Sequence, residues 1–271
     1  MALTREEVFE ISRQTVIESV SNFIGQRANR VPNFQILDLI IPTERRIRSV
    51  VGGMETSLGT TLWEPLAKNL ARRNDFEVIN ENLLSPSNMP ASLQSTLQIV
   101  TDGRINRNPL YTAQYCHDRI REVCNSFIQQ PITNFTTAPR GFGVDIWLRK
   151  DGVNYFFDTK TVQSNVGSYS KCFSQVLNWY AYYYSQFPEG HASARIVFPY
   201  NPYGQVNFWA RTIGRGWPLE PTNEGWVENE FWDFCSGLQN TYEIIYNSFI
   251  SISESGDLEE IIQNIFYGDR D

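Results

Sequence analysis

The string GVDIWLRKDGVNYFFDTK, from Gly143 to Lys160, constrains the fold more than any other part of the chain. Val144, Ile146 and Leu148 alternate with Asp145 and Trp147, so one face of the segment is apolar, as in a half-buried strand. Asp151-Gly152 then supplies the residue pair that a type I′ turn favours, and VNYFFDTKT resumes an aromatic, β-branched run. The pattern predicts a β-hairpin. SYSKCFSQVLNWYAYYYSQF follows with helical spacing and SARIVFPYN with strand character, so the local order is β-β-α-β. That order predicts an α/β (α+β) fold with a mixed central sheet flanked by helices.

The rest of the chain is read around that centre. TREEVFEISRQTVIESVSNFIGQRA spaces Val8, Ile11, Val16, Val20 and Phe23 helically, with Thr4 and Glu7 as a capping box. LWEPLAKNLARRN predicts a second helix, preceded by the Gly-containing stretch GGMETSLGTT and followed by FEVINENLL as a short strand. Leu84 to Asn108, rich in Ser, Pro, Asn and Gln, reads as an irregular excursion, and YTAQYCHDRIREVCNSFIQQ as helix again. From Pro202, Gly, Pro and Trp are frequent until ENEFWDFCSGLQNTYEIIYNSFISI returns to helix. No internal repeat and no linker divides the 271 residues. The expectation is one domain: a helical part over about 1–80, a core over about 50–200 and a C-terminal helical or recognition part over about 201–271.

Composition narrows the function. With 41% hydrophobic residues the chain can close a sizeable core. The net charge of −7 argues against coating nucleic acid by bulk electrostatics, but it leaves room for a locally basic cleft. Cys116, Cys124, Cys172 and Cys235 form no CxxC pair and His117 and His191 are the only histidines, which argues against structural zinc. MALTREEVFEI lacks the apolar core of a signal peptide and no apolar run is long enough to span a bilayer, so a cytosolic protein with reduced thiols is expected.

Asp145 and Asp158 stand on the two arms of the predicted hairpin, and Lys160 lies two positions beyond Asp158 on the same strand face. The turn brings Asp145 beside Asp158. Phosphodiester hydrolysis needs two carboxylates converging on a metal, and a lysine beside them can orient or deprotonate the attacking water. Both aspartates sit within apolar strands, where a carboxylate needs a partner or a metal to be tolerated. Solvated charges on an ordinary exposed hairpin are the plainer alternative.

The same string resembles the PD-(D/E)XK nuclease signature, with Val144 in place of the usual proline. The resemblance implies a restriction-endonuclease-like core, Mg²⁺ as cofactor, and an upstream acidic residue for which Glu64 and Glu55 are candidates. Glu64 precedes an apolar stripe of Leu66, Ala67 and Leu70, as that acid does in the superfamily; it also completes a Thr61-x-x-Glu64 capping box ahead of Pro65. Glu55 reads as a loop acid. Gln175, with Trp179 and Tyr180, partly resembles the Gln-x-x-x-Tyr pair of RecB-like nucleases, although the fourth position is Trp; an amphipathic helix packed on the sheet explains the same residues.

RSVVGGMETSLGTTLWEPLAKNLA, DTKTVQSNVG and ENEFWDF look like type II restriction endonucleases of the TdeIII-related group, over most of Arg48 to Phe234. That likeness implies a site of the GGNCC or GGWCC kind, double-stranded DNA as partner, and a cognate methyltransferase as genetic partner. Thr161, Gln163 and Asn165 are candidate backbone donors, and Gln175 is a further candidate DNA contact. Among scattered arginines (Arg104, Arg107, Arg140, Arg195, Arg211 and Arg215), Arg140, Arg211 and Arg215 are the candidate DNA contacts, since a G is read through O6 and N7 by such side chains. A palindromic site further implies a homodimer. Two other functions compete: a structure-specific repair or recombination nuclease with the same core, and a non-catalytic protein binding carbohydrate or protein through Tyr and Trp.

Overall fold

The computed structural model describes residues 2–27, 34–161, 166–211 and 213–266. Gln163 and Asn165 lie outside them. The chain divides into two compact units, one formed by 1–74 and 232–271, the other by 75–231.

In the first unit, α1 (Arg5–Arg27) is opened by the expected box: the Thr4 N–H donates to Glu7 Oε2 at 2.8 Å and the Glu7 N–H to Thr4 Oγ1 at 3.2 Å. Its Val8, Val16 and Phe23 are buried. The Gly-containing stretch ahead of the second helix is itself helical. α2 (Pro42–Leu58) starts on a proline, tolerated in a first turn, and runs through a π turn at Gly59–Trp63 into α3 (Glu64–Arg73). Glu55 is therefore an exposed helical residue, not a loop acid. Thr61 does not cap α3 either, because its hydroxyl, inside continuous helix, donates back to the Ser57 carbonyl at 2.8 Å.

The second unit holds the sheet. β1 (Glu77–Ile79) is the short strand expected from FEVINENLL, and β2 (Leu84–Pro86) pairs with β3 (Phe135–Thr137) in a separate ribbon. Between these lie α4 (Ala91–Ile105) and α5 (Ala113–Asn125). α4 replaces the predicted irregular excursion: Leu93, Thr96, Val100 and Arg104 bury one helical face, while Ile99 and Ile105 are left exposed among Ser, Gln, Thr and Asp. The hairpin forms as expected from β4 (Ile146–Lys150) and β5 (Val153–Thr159), with positive φ at both Asp151 and Gly152. α6 (Val166–Gln186) then leads to β6 (His191–Phe198), parallel to β5. After α7 (Phe208–Arg211), β7 (Gly225–Val227) joins β6 in parallel, a strand too short to show in the sequence.

The sheet order is β1-β4-β5-β6-β7, antiparallel through the hairpin and parallel beyond it. α6 covers one face, where Phe156, Ala194, Ile196 and Phe198 join Phe173, Val176, Leu177 and Trp179 in one core. Phe157, on the other face, packs against Trp226 and Phe231. Here α8 (Asn229–Ser236) begins, and the helical stretch expected to follow it unbroken is interrupted before α9 (Thr241–Ser255) and α10 (Glu259–Phe266). The break falls at Gly237, whose φ of +74 suits glycine. Among the described residues no helix is long and apolar enough to cross a membrane.

Candidate active site

Alternation along β5 sets the chemistry. Asn154, Phe156 and Asp158 share the face turned to α6, and Lys160 continues it, its N–H bonded to the Val197 carbonyl at 2.9 Å. The row passes from an amide through an aromatic ring and turns ionic at the carboxyl end of the strand. Asp145 enters β4 from the neighbouring arm: its N–H donates to the Phe157 carbonyl at 3.1 Å, and its Oδ2 accepts from the Thr159 N–H at 3.4 Å. Asp158 is 5% exposed and bonds directly to the Lys160 ammonium. Burial works to lower the Lys160 pKa, but the charge and hydrogen bond of Asp158, with smaller help from Cys172 and Asp145, raise it above its ordinary value.

These three side chains line one cleft of about 510 Å³ with Gly141, Gly143, Ser168, Lys171, Cys172 and Gln175. Ser168, Lys171, Cys172 and Gln175 follow i, i+3, i+4, i+7 spacing, so one stripe of α6 forms the wall facing the strand ends. Gln175, 4% exposed, donates to the Gly143 carbonyl at 3.3 Å, and Trp179 Nε1, one turn on, to the Phe142 carbonyl at 2.9 Å. Together they tie the backbone just ahead of Asp145 to the helix. Lys171, Cys172 and Ser168 were not picked out from the sequence, although the stripe was present in it.

The remaining candidates lie elsewhere. Glu64 and Glu55 belong to the helical unit, where Glu64 holds Lys68 at 3.2 Å. Among the described residues no group of three or more His, Cys, Asp or Glu is gathered to hold a metal ion; the cleft itself offers Asp145 and Asp158. The Thr161 carbonyl accepts from the Tyr200 hydroxyl at 2.9 Å. Arg140, Arg211 and Arg215 are exposed, and Arg215 adopts φ +55. Arg104 is withdrawn from any surface role, 3% exposed and bonded to Glu224 at 2.9 Å, while Arg195 lies over the Trp226 ring at 4.1 Å.

A five-stranded mixed sheet flanked by helices, antiparallel on one side and parallel on the other, is the architecture of the restriction-endonuclease-like class. Within that class, residues 4–253 match the model of a family described as "Type II restriction endonuclease, HinfI", and the chain belongs to this family. It is accordingly a type II site-specific deoxyribonuclease that acts on double-stranded DNA. The match carries the type II assignment, but it does not extend to the TdeIII-related group or its site. No curated protein and no solved structure matches the chain.

Proposed function

We propose that the protein cuts DNA with Mg²⁺ held by Asp145 and Asp158, and with Lys160 as the donor to the attacking water. The observation that carries this reading is the convergence of both carboxylates and the lysine on one cleft at the ends of two paired strands. The donor set fits the ion: Mg²⁺ keeps several waters and takes one or two carboxylates together with phosphate oxygens, so two aspartates suffice. When bound, such a cation stabilises charge on the phosphoryl oxygens and makes water a better nucleophile near neutral pH. Lys160, held as an ammonium, has three donors and no acceptor, which suits orienting the water rather than removing its proton.

Double-stranded DNA as the substrate follows from the family; a short palindromic site cut by a homodimer is our reading, since two identical half-sites suit two identical chains. GGNCC and GGWCC are the first sequences to try, on the strength of the sequence likeness alone. Arg140, Arg211 and Arg215, all exposed, are the basic contacts we assign to the DNA, with Thr161 beside the catalytic lysine. For the upstream acid, Glu64→Gln is expected to impair cleavage more than Glu55→Gln, because Glu64 is the less exposed carboxylate.

Plasmid digestion tests the assignment. Wild type with Mg²⁺ should give discrete fragments, none should form in excess EDTA, and Ca²⁺ should support binding with little cutting. Folded Asp158→Asn should lose roughly a thousandfold or more in rate. Lys160→Ala should keep DNA binding better than cleavage. Full activity in Asp158→Asn, or cutting in EDTA, overturns the site; fragments without a common end sequence favour the repair-nuclease alternative.

A further inference from the structure

The cleft holds a second lysine to which the reading above gives no role. Its ionisable lining is Asp145, Asp158, Lys160, Lys171 and Cys172. The cleft therefore sets two lysines against two aspartates, with the buried Cys172 on the helical wall. Lys160 is committed to Asp158. Lys171 is not: it is exposed on α6, and among the described residues it forms no ion pair with a carboxylate.

The opposite wall is shaped to leave that ammonium open. The Phe142 N–H closes a turn on the Pro139 carbonyl at 3.0 Å, and Gly141 within it has φ +88, a conformation that side-chain-bearing residues rarely adopt. A Cβ on Gly141 would stand 3.4 Å from Lys171 Nζ. The lysine therefore lies against bare backbone at the mouth of the cleft, on the same helical stripe as Gln175.

We propose that Lys171 binds a backbone phosphate of the DNA at the mouth of the cleft, and so sets where the strand crosses Asp145 and Asp158. The inference rests on the assignment of those aspartates as the catalytic pair. A polyanion entering a site with two carboxylates, on a chain of net charge −7, meets repulsion that a committed Lys160 does not relieve. An exposed ammonium beside them supplies the attraction, and lysine serves phosphate as a compact point charge. Lys160 works on the reacting group and Lys171 on a neighbouring phosphate.

The test measures binding of a labelled duplex carrying the mapped cleavage site, in Ca²⁺, over a series of salt concentrations, for wild type, Lys171→Met, Lys171→Arg and Asp158→Asn. Lys171→Met should reduce the slope of log K against log[salt] by about one, the signature of one lost phosphate contact. In Mg²⁺ its KM should rise about tenfold, as for a lost charge-assisted bond, with kcat within about twofold of wild type. Lys171→Arg should restore the slope. An unchanged slope and KM in Lys171→Met overturn the inference, as does a fall in kcat at constant slope. Asp158→Asn separates the two readings: if it cuts like wild type, the catalytic assignment fails; if it is inactive while Lys171→Met binds with wild-type salt dependence, only the role of Lys171 fails.

Discussion

At the scale of single residues, Gln175 tethers the chain beside the first of the two proposed catalytic carboxylates. A buried primary amide keeps its place only if its donors and acceptor are used, and the Gln175 amide donates to the Gly143 carbonyl, two residues ahead of Asp145. Trp179 repeats the clamp on Phe142. Asp145 has to approach Asp158 from the other arm of the hairpin, so tethering the chain just before it fixes the separation of the two carboxylates. Sub-ångström errors in such geometry are expensive in rate. Gln175→Leu, which nearly conserves volume but cannot donate, is expected to lower kcat about tenfold, equivalent to about 1.4 kcal/mol of barrier, with KM for DNA unmoved. Steady-state kinetics on the mapped site check this. A raised KM with intact kcat would instead make Gln175 a DNA contact, the role its likeness to RecB-like nucleases implies.

At the scale of elements, a buried polar link joins α4 to the segment leading into β7. Arg104, in the last turn of α4, reaches Glu224 with both side chains 3% exposed, and donates further to the Pro218 carbonyl at 3.0 Å and to the Tyr111 carbonyl. Removing one partner of such a pair strands a buried charge. Glu224→Leu alone is expected to cost about 3–5 kcal/mol, whereas Arg104→Met combined with Glu224→Leu should recover much of the loss. Urea unfolding of both variants is the measurement, and equal stability of the single and double variants would refute the pairing argument. This link also explains why part of the fold was illegible. α4 carries an arginine and a threonine on its buried face, so its apolar period is too dilute to distinguish it from loop. α2 contains Gly52 and Gly53, which weigh against helix by propensity; nothing lies within 4 Å of a Cβ built at Gly52, so packing does not demand the glycine. The hairpin was legible because strand alternation and turn chemistry agree within a few residues, and Asp145, Asp158 and Lys160 inherit their juxtaposition from it. Lys171 was not, because a Ser-Lys-Cys-Gln stripe gains meaning only once β5 is known to end opposite it.

At the scale of the whole molecule, the count of catalytic sites bears on assembly. Among the described residues the proposed catalytic pair, Asp145 and Asp158, forms a single constellation on one hairpin, and one such constellation cuts one strand at a time. A type II enzyme acting on a palindrome meets two identical half-sites related by a two-fold axis, which a symmetric pair of chains matches with one cleft per strand. Dimerisation also eases the conflict between a −7 chain and a polyanionic substrate, since each copy need engage only the phosphates of its own half-site. The expected outcome is two chains per duplex, read by sedimentation or light scattering on DNA carrying the mapped site in Ca²⁺. Mixing wild type with Asp158→Asn sharpens the test: heterodimers with one live cleft should nick supercoiled plasmid to open circles without linearising it. A single chain per duplex that still breaks both strands would refute the symmetric arrangement, because one cleft would then have to turn over twice at the same site.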